Sequence, residues 1–122
     1  MRRLFATYLL LQGVCCVAWW AGILLSAAFR DLFKAPGAPD VTLLAFAGAD
    51  ALLFVGGSVV SAVLLLRGAP QRKAWLWLTA GAVTCAALYA IGLSVLSGAA
   101  WLGAGAMAAA MVMTVIIAWR AP

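Results

Sequence analysis

The sequence predicts an all-α integral membrane protein, a bundle of four transmembrane helices. Of its 122 residues, 68% are hydrophobic and only 9% are charged, whereas a soluble domain is about half apolar and a quarter charged. A chain this small cannot hide so much apolar surface from water. About 20 apolar residues span the hydrocarbon core of a bilayer, and the chain has room for four such runs. The lipid bilayer is therefore the first predicted partner.

The first apolar run predicts a helix over about residues 4–29, directly behind Arg2 and Arg3. A signal peptide has an apolar region of only about 7–15 residues. This run is much longer, and we therefore interpret it as a retained transmembrane helix. The connection after it, residues 30–40, contains two prolines around Gly37, which are incompatible with a continuous helix.

The second helix is predicted over about residues 41–66, with Asp40 as its N-cap and Gly68 just beyond its end. The remaining apolar sequence is too long for one crossing but suits two of about 20 residues each. We expect helices over about 74–97 and 99–119, joined by a tight antiparallel turn. Strands are not expected, because membrane barrels need alternating apolar and polar residues. The whole chain, 1–122, is then a single transmembrane domain with up-down-up-down topology.

The distribution of basic residues predicts that both termini are cytoplasmic. One side of the bundle would carry Arg2, Arg3, Arg67, Arg72, Lys73 and Arg120. On the other side, Arg30 and Lys34 are offset by Asp31 and Asp40. Basic residues concentrate on the cytoplasmic side of membrane proteins. The Ala- and Gly-rich composition indicates a bacterial protein, and we expect it in the inner membrane.

Asp50 is the strongest candidate for a binding residue. It lies about nine residues into the second helix, which at 1.5 Å per residue is roughly 13 Å deep. An ionised acid at the centre of a membrane helix costs on the order of 2.5–3.5 kcal/mol, so Asp50 should find a partner. Tyr89, Ser94 and Trp20 reach similar depths, and we expect the Tyr89 hydroxyl to pair with the Asp50 carboxyl. This group is either a ligand or ion site or a neutral packing feature.

Small residues at four-residue spacing predict where helices pack closely. Gly57 and Ser61 form such a pair on the second helix, Ala86 belongs to an alanine stripe on the third, and Ala104 to one on the fourth. Small side chains let helix backbones approach each other in a membrane. The stripes favour packing within the bundle, and a homo-oligomer or a larger membrane-protein partner is the alternative.

The reactive residues exclude many activities. The sequence has no histidine, which excludes His-ligated haem and histidine acid–base catalysis. Cys15, Cys16 and Cys85 lack the spacing of a metal or redox site. We therefore expect no catalytic residues, no bound metal and no cofactor. Because the basic groups sit between apolar runs, we also expect no nucleic-acid partner.

Three functional classes remain open. The preferred one is a non-catalytic membrane module, either an accessory or assembly subunit or a binder of an apolar or lipid-like ligand. The second is a small proton- or cation-coupled transporter that uses Asp50. The third is a membrane enzyme component completed by a partner chain.

Overall fold

The computed structural model describes residues 1–121, which form helices and turns and no strand. The prediction of an all-helical fold is confirmed. By length and composition, four helices are able to cross a membrane, and we call them the first to fourth spans: Arg2–Leu25, Asp40–Arg67, Arg72–Ser97 and Trp101–Arg120.

The first span ends earlier than the apolar run suggested. The helix Arg2–Leu25 stops at Ser26, whose backbone is extended (φ −132°, ψ 115°), and a short helix, Ala27–Asp31, follows. The Ser26 hydroxyl accepts a hydrogen bond from the Phe29 backbone N–H at 3.2 Å, which is the usual role of a serine N-cap. The break turns the chain back, so that Phe29 packs against Gly22 on the first span.

The second span is not a uniform α-helix. It consists of Asp40–Leu44, Ala47–Ala49, a π-helical stretch Asp50–Gly56 and the α-helix Gly57–Arg67. Single-turn π-helical insertions are common at functional sites. The sequence alone had indicated one regular helix over 41–66.

Asp40 does not act as the predicted N-cap. It is the first residue of the helix, Pro39 occupies the cap position, and no side chain there caps the helix. The Asp40 carboxylate instead bonds to Lys34 at 2.6 Å and lies 3.2 Å from Arg30. Two cations in the preceding connection compete successfully for the carboxylate that would otherwise bind the first N–H groups.

The third and fourth spans are joined by a tight turn. Gly98 ends the third span in the left-handed conformation (φ 67°), and Ala100 precedes the fourth with φ 60°. Glycine adopts this conformation without strain, whereas an L-residue such as Ala100 pays roughly 1–2 kcal/mol. The turn lets the two spans pack against each other along their length.

The apolar core lies at the end of the bundle that carries the chain termini. Each span contributes one large, fully buried side chain: Leu9, Leu65, Leu76 and Ile117. At the same end, the Lys73 ammonium donates to the carbonyl oxygens of Trp119 at 3.2 Å and Ala121 at 2.9 Å. A cation at a helix C-terminus binds carbonyl groups that have no partner within the helix.

Candidate functional site

A cavity of about 430 Å³ lies between the four spans and extends from beside the apolar core towards the end of the bundle away from the termini. On the first span its lining extends from Tyr8 to Trp20. Small-molecule pockets in proteins measure roughly 300–1,000 Å³. The cavity therefore has the size of a small-molecule site.

Small residues on the third and fourth spans create this space. Ala86 and Ala90 on the third span, and Gly103, Ala104 and Ala110 on the fourth, all line the cavity. Because these side chains are short, they leave space between the spans at the centre of the bundle. The predicted packing residues Ala86 and Ala104 thus lie on the cavity wall as well as between helices.

The other two predicted packing residues lie at a close contact of the second and third spans. A Cβ placed on Gly57 would lie 2.9 Å from Thr79 Oγ1. The Ser61 and Thr79 hydroxyls are 2.9 Å apart and share a hydrogen bond. Both Ser61 and Thr79 are fully buried. The backbones approach here because neither Gly57 nor Ser61 has a bulky side chain.

Asp50 lies on the cavity wall, at the first residue of the π-helical stretch. Of the lining residues within 1–121, it is the one charged side chain. Its Oδ2 accepts a hydrogen bond from Trp20 Nε1 at 3.0 Å. Hydrogen bonds to a carboxylate are about twice as strong as neutral ones, so Trp20 holds the Asp50 side chain in place.

Tyr89 does not make the contact with Asp50 that the sequence suggested. Its ring packs on Phe46, with centroids 4.3 Å apart and an angle of 36° between the planes. Tyr89 still lines the same cavity, and 47% of it is exposed. The hydrogen bond at Asp50 comes instead from Trp20, whose position in the sequence also predicts a depth similar to that of Asp50.

Ser94 is the predicted site residue that the structure does not bring to the cavity. It is fully buried but is not among the residues lining the space around Asp50. Within residues 1–121 its hydroxyl has no hydrogen-bond partner. Counting depth along a helix could not reveal this, because depth does not specify which way a side chain points around the helix.

An aromatic cluster covers the cavity at the end away from the termini. The rings of Trp19 and Phe33 have centroids 4.1 Å apart, and Phe29 lies 4.9 Å from Phe33. A Cβ on Gly103 would lie 3.3 Å from Phe33, so the glycine makes room for this ring. Sequence reasoning missed Phe29 and Phe33, because they belong to the break and connection after the first span.

Gln12 connects three spans at the opposite end of the cavity. Its Nε2 donates to Ser58 Oγ at 3.1 Å, and its Oε1 accepts from Thr114 Oγ1 at 2.9 Å. All three side chains are buried. The single hydroxyl hydrogen of Thr114 is shared between Gln12 Oε1 and the Ala110 carbonyl oxygen of its own helix, which lies 2.6 Å from Oγ1. The sequence feature that could have predicted this contact is Gln12 itself, because the donors and acceptor of a glutamine amide in an apolar helix need hydrogen-bond partners on other helices.

A cluster of charged residues lies in the connection between the first two spans. Lys34 Nζ contacts Asp40 at 2.6 Å and Asp31 at 2.9 Å. Its hydrogen bonds, first to Asp40 and then to Asp31, raise the pKa of Lys34 above its usual value. Lys34 also lines a smaller cavity of about 170 Å³, which shares Phe33 and Tyr89 with the main cavity. The charge cluster itself is not among the residues that line the main cavity around Asp50.

No part of the described chain, residues 1–121, groups three or more His, Cys, Asp or Glu side chains as a metal site would require. Cys15, Cys16 and Cys85 are free thiols. The chain matches no protein-family model, no curated protein and no solved structure. Its function therefore has to be inferred from the geometry and chemistry of the cavity.

Proposed function

We propose that this protein is a non-catalytic membrane module that binds a small apolar or lipid-like ligand in the cavity between its spans. The observation that carries the proposal is the cavity itself, about 430 Å³ with a mainly apolar wall. Side chains on an unfilled apolar wall lose van der Waals contacts, which favours an apolar occupant.

The rim of the cavity supports entry from the lipid phase. Exposed residues on the first and fourth spans contribute to its lining: Leu11, Cys15, Ala106, Ala109 and Met113. None of these side chains is charged. A hydrophobic molecule dissolved in the bilayer would therefore meet no desolvation barrier between the two spans.

The matched pair Ala86 and Ala82 tests the proposal. Both lie on the third span and are half-buried, but only Ala86 lines the cavity. We expect tert-butylbenzene to bind the protein in lipid nanodiscs, measured by calorimetry against empty discs. Ala86→Phe should weaken binding at least about tenfold, which corresponds to about 1.4 kcal/mol, because the ring occupies the cavity. Ala82→Phe should change it less than about twofold.

Thermal unfolding of both variants provides the control for folding. Binding by Ala86→Phe as tight as that of the unaltered protein would contradict the proposal, as would no binding beyond that of empty discs. Uptake of a probe into sealed vesicles that disappears in Asp50→Asn would instead favour the second candidate, a proton- or cation-coupled transporter. The position of Asp50 on the cavity wall is the observation that favours this alternative.

Both termini are proposed to lie in the cytoplasm of a bacterial cell, with the cavity in the outer half of the membrane. The support is the excess of basic residues beside the termini and in the connection between the second and third spans, since basic residues concentrate on the cytoplasmic side. Reporter fusions at residue 1 and at residue 122 should both be active only as cytoplasmic reporters. Two fusions active only outside the inner membrane would overturn this orientation.

A further inference from the structure

We infer that the ligand is an amphiphilic organic cation, with an apolar body in the cavity and a single ammonium-type charge at Asp50. This inference rests on the proposed ligand-binding function. It names the chemical class of ligand that the cavity would accept.

The Asp50 carboxylate has one oxygen available to a ligand. Trp20 donates to Oδ2 at 3.0 Å, whereas Oδ1 accepts no hydrogen bond from residues 1–121. A carboxylate in an apolar environment is stable only when it is paired or hydrogen-bonded. A cation in the cavity could bind Oδ1 and neutralise the negative charge, which the neutral Trp20 side chain cannot do.

The protein's own cations near this end of the bundle are engaged elsewhere. Lys34 bonds to Asp40 and Asp31. Arg30 lies 3.2 Å from Asp40. The other basic residues lie close to the chain termini or in and beside the connection between the second and third spans. The counter-ion for Asp50 would therefore come from the ligand.

Aromatic rings on the same cavity wall add a second attraction for a cation. Phe46 lies one helical turn before Asp50, and the Asp50 backbone N–H donates to the Phe46 carbonyl at 2.9 Å. Phe46 packs on Tyr89, and Trp20 binds Asp50 directly. The faces of aromatic rings attract ammonium groups, most strongly when water is excluded. An acyl chain would fill the cavity equally well but would leave Asp50 without a counter-ion.

A pair of probes with the same shape isolates the contribution of the charge. Phenyltrimethylammonium and tert-butylbenzene differ only in having nitrogen or carbon at the quaternary centre. In nanodiscs of phosphatidylcholine, with empty discs subtracted, we expect the cation to bind at least about tenfold more tightly than its isostere. Asp50→Asn should weaken binding of the cation, so that the ratio of the two affinities falls to near one. The affinity for the isostere should stay within about threefold of that of the unaltered protein.

Asp31→Asn is the matched control, because it removes the same charge from an exposed acid that does not line the cavity. It should bind the cation over the isostere with the same preference as the unaltered protein, and Asp50→Glu should retain most of that preference. Equal binding of both probes, or an unchanged ratio in Asp50→Asn, would overturn the inference and leave the proposed function intact. Binding of neither probe would contradict the proposed function itself. The comparison on the unaltered protein does not depend on any variant folding.

Discussion

Replacing Gly57 by leucine is expected to destabilise the bundle by about 3 kcal/mol. A Cβ at this position would lie 2.9 Å from Thr79 Oγ1 and 3.5 Å from its Cγ2, and the rest of a leucine side chain has no space between the second and third spans. Overpacking of a close contact typically costs about 1–3 kcal/mol. Separation of the helices would also break the buried Ser61–Thr79 hydrogen bond, at a further cost of about 1 kcal/mol.

The free energy of unfolding, measured by SDS titration in mixed micelles, checks this expectation. Gly105→Leu is the matched control: Gly105 lies in the fourth span, is exposed, and has nothing within 4 Å of an added Cβ. Replacement of a helical glycine there should be neutral or stabilising by up to about 1 kcal/mol. If the two variants unfolded alike, the second and third spans would not meet at Gly57.

Leu65→Ala is expected to cost about 2–3 kcal/mol, whereas Leu66→Ala should cost less than about 0.5 kcal/mol. Leu65 is 0% exposed and belongs to the core at the end that carries the termini, while 51% of Leu66 is exposed. In a soluble protein, removing a buried leucine side chain costs about 2–5 kcal/mol. We expect the lower part of that range, since lipid tails are as apolar as leucine and only the packing contribution is lost.

The same unfolding titration measures both alanine variants, and their difference is the informative quantity. Adjacent residues with equal propensity and equal hydrophobicity differ here only in the direction of their side chains. Similar costs for the two substitutions would mean that the second span is rotated about its axis relative to the structure. In that case the assignment of Phe54 and Asp50 to the cavity would change as well.

The division of the bundle into a packed end and an open end follows from side-chain size. Large side chains such as Leu9 and Ile117 meet at the end with the termini. Towards the other end, alanines and a glycine on the third and fourth spans face bulky aromatic residues such as Trp19 and Trp20. The aromatic side chains do not fill the space left by the small residues. That unfilled space is the proposed ligand site.

The polar residues of the bundle separate into two groups with different consequences. Ser61 and Thr79 are fully buried and bond to each other, so they contribute to packing of the second span on the third. Asp50, in contrast, is half-buried and lines the cavity, and within residues 1–121 its side chain accepts one hydrogen bond, from Trp20. That difference is why Asp50, and not the serines or threonines, carries the proposed recognition of a cation.

The sequence by itself determined the helical class, the number of spans and the position of most of their ends. These properties depend on local composition: long apolar runs need hydrocarbon around them, and Gly68 and Gly98 end helices through their own backbone freedom. Asp50 could also be singled out by its depth alone. The close contact at Gly57 and Ser61 was suggested by spacing, because small residues four positions apart share one face.

Only the tertiary structure decided which side chains meet. Trp20, and not Tyr89, donates to Asp50; Asp40 joins the charged cluster with Lys34; and Gln12 links Ser58 with Thr114. The break at Ser26 and the π-helical stretch from Asp50 to Gly56 likewise had no clear sign in an apolar sequence. The reason is physical: runs that are apolar on every side carry almost no information about rotation around the helix axis. That rotation is set by the packing of the four spans against one another.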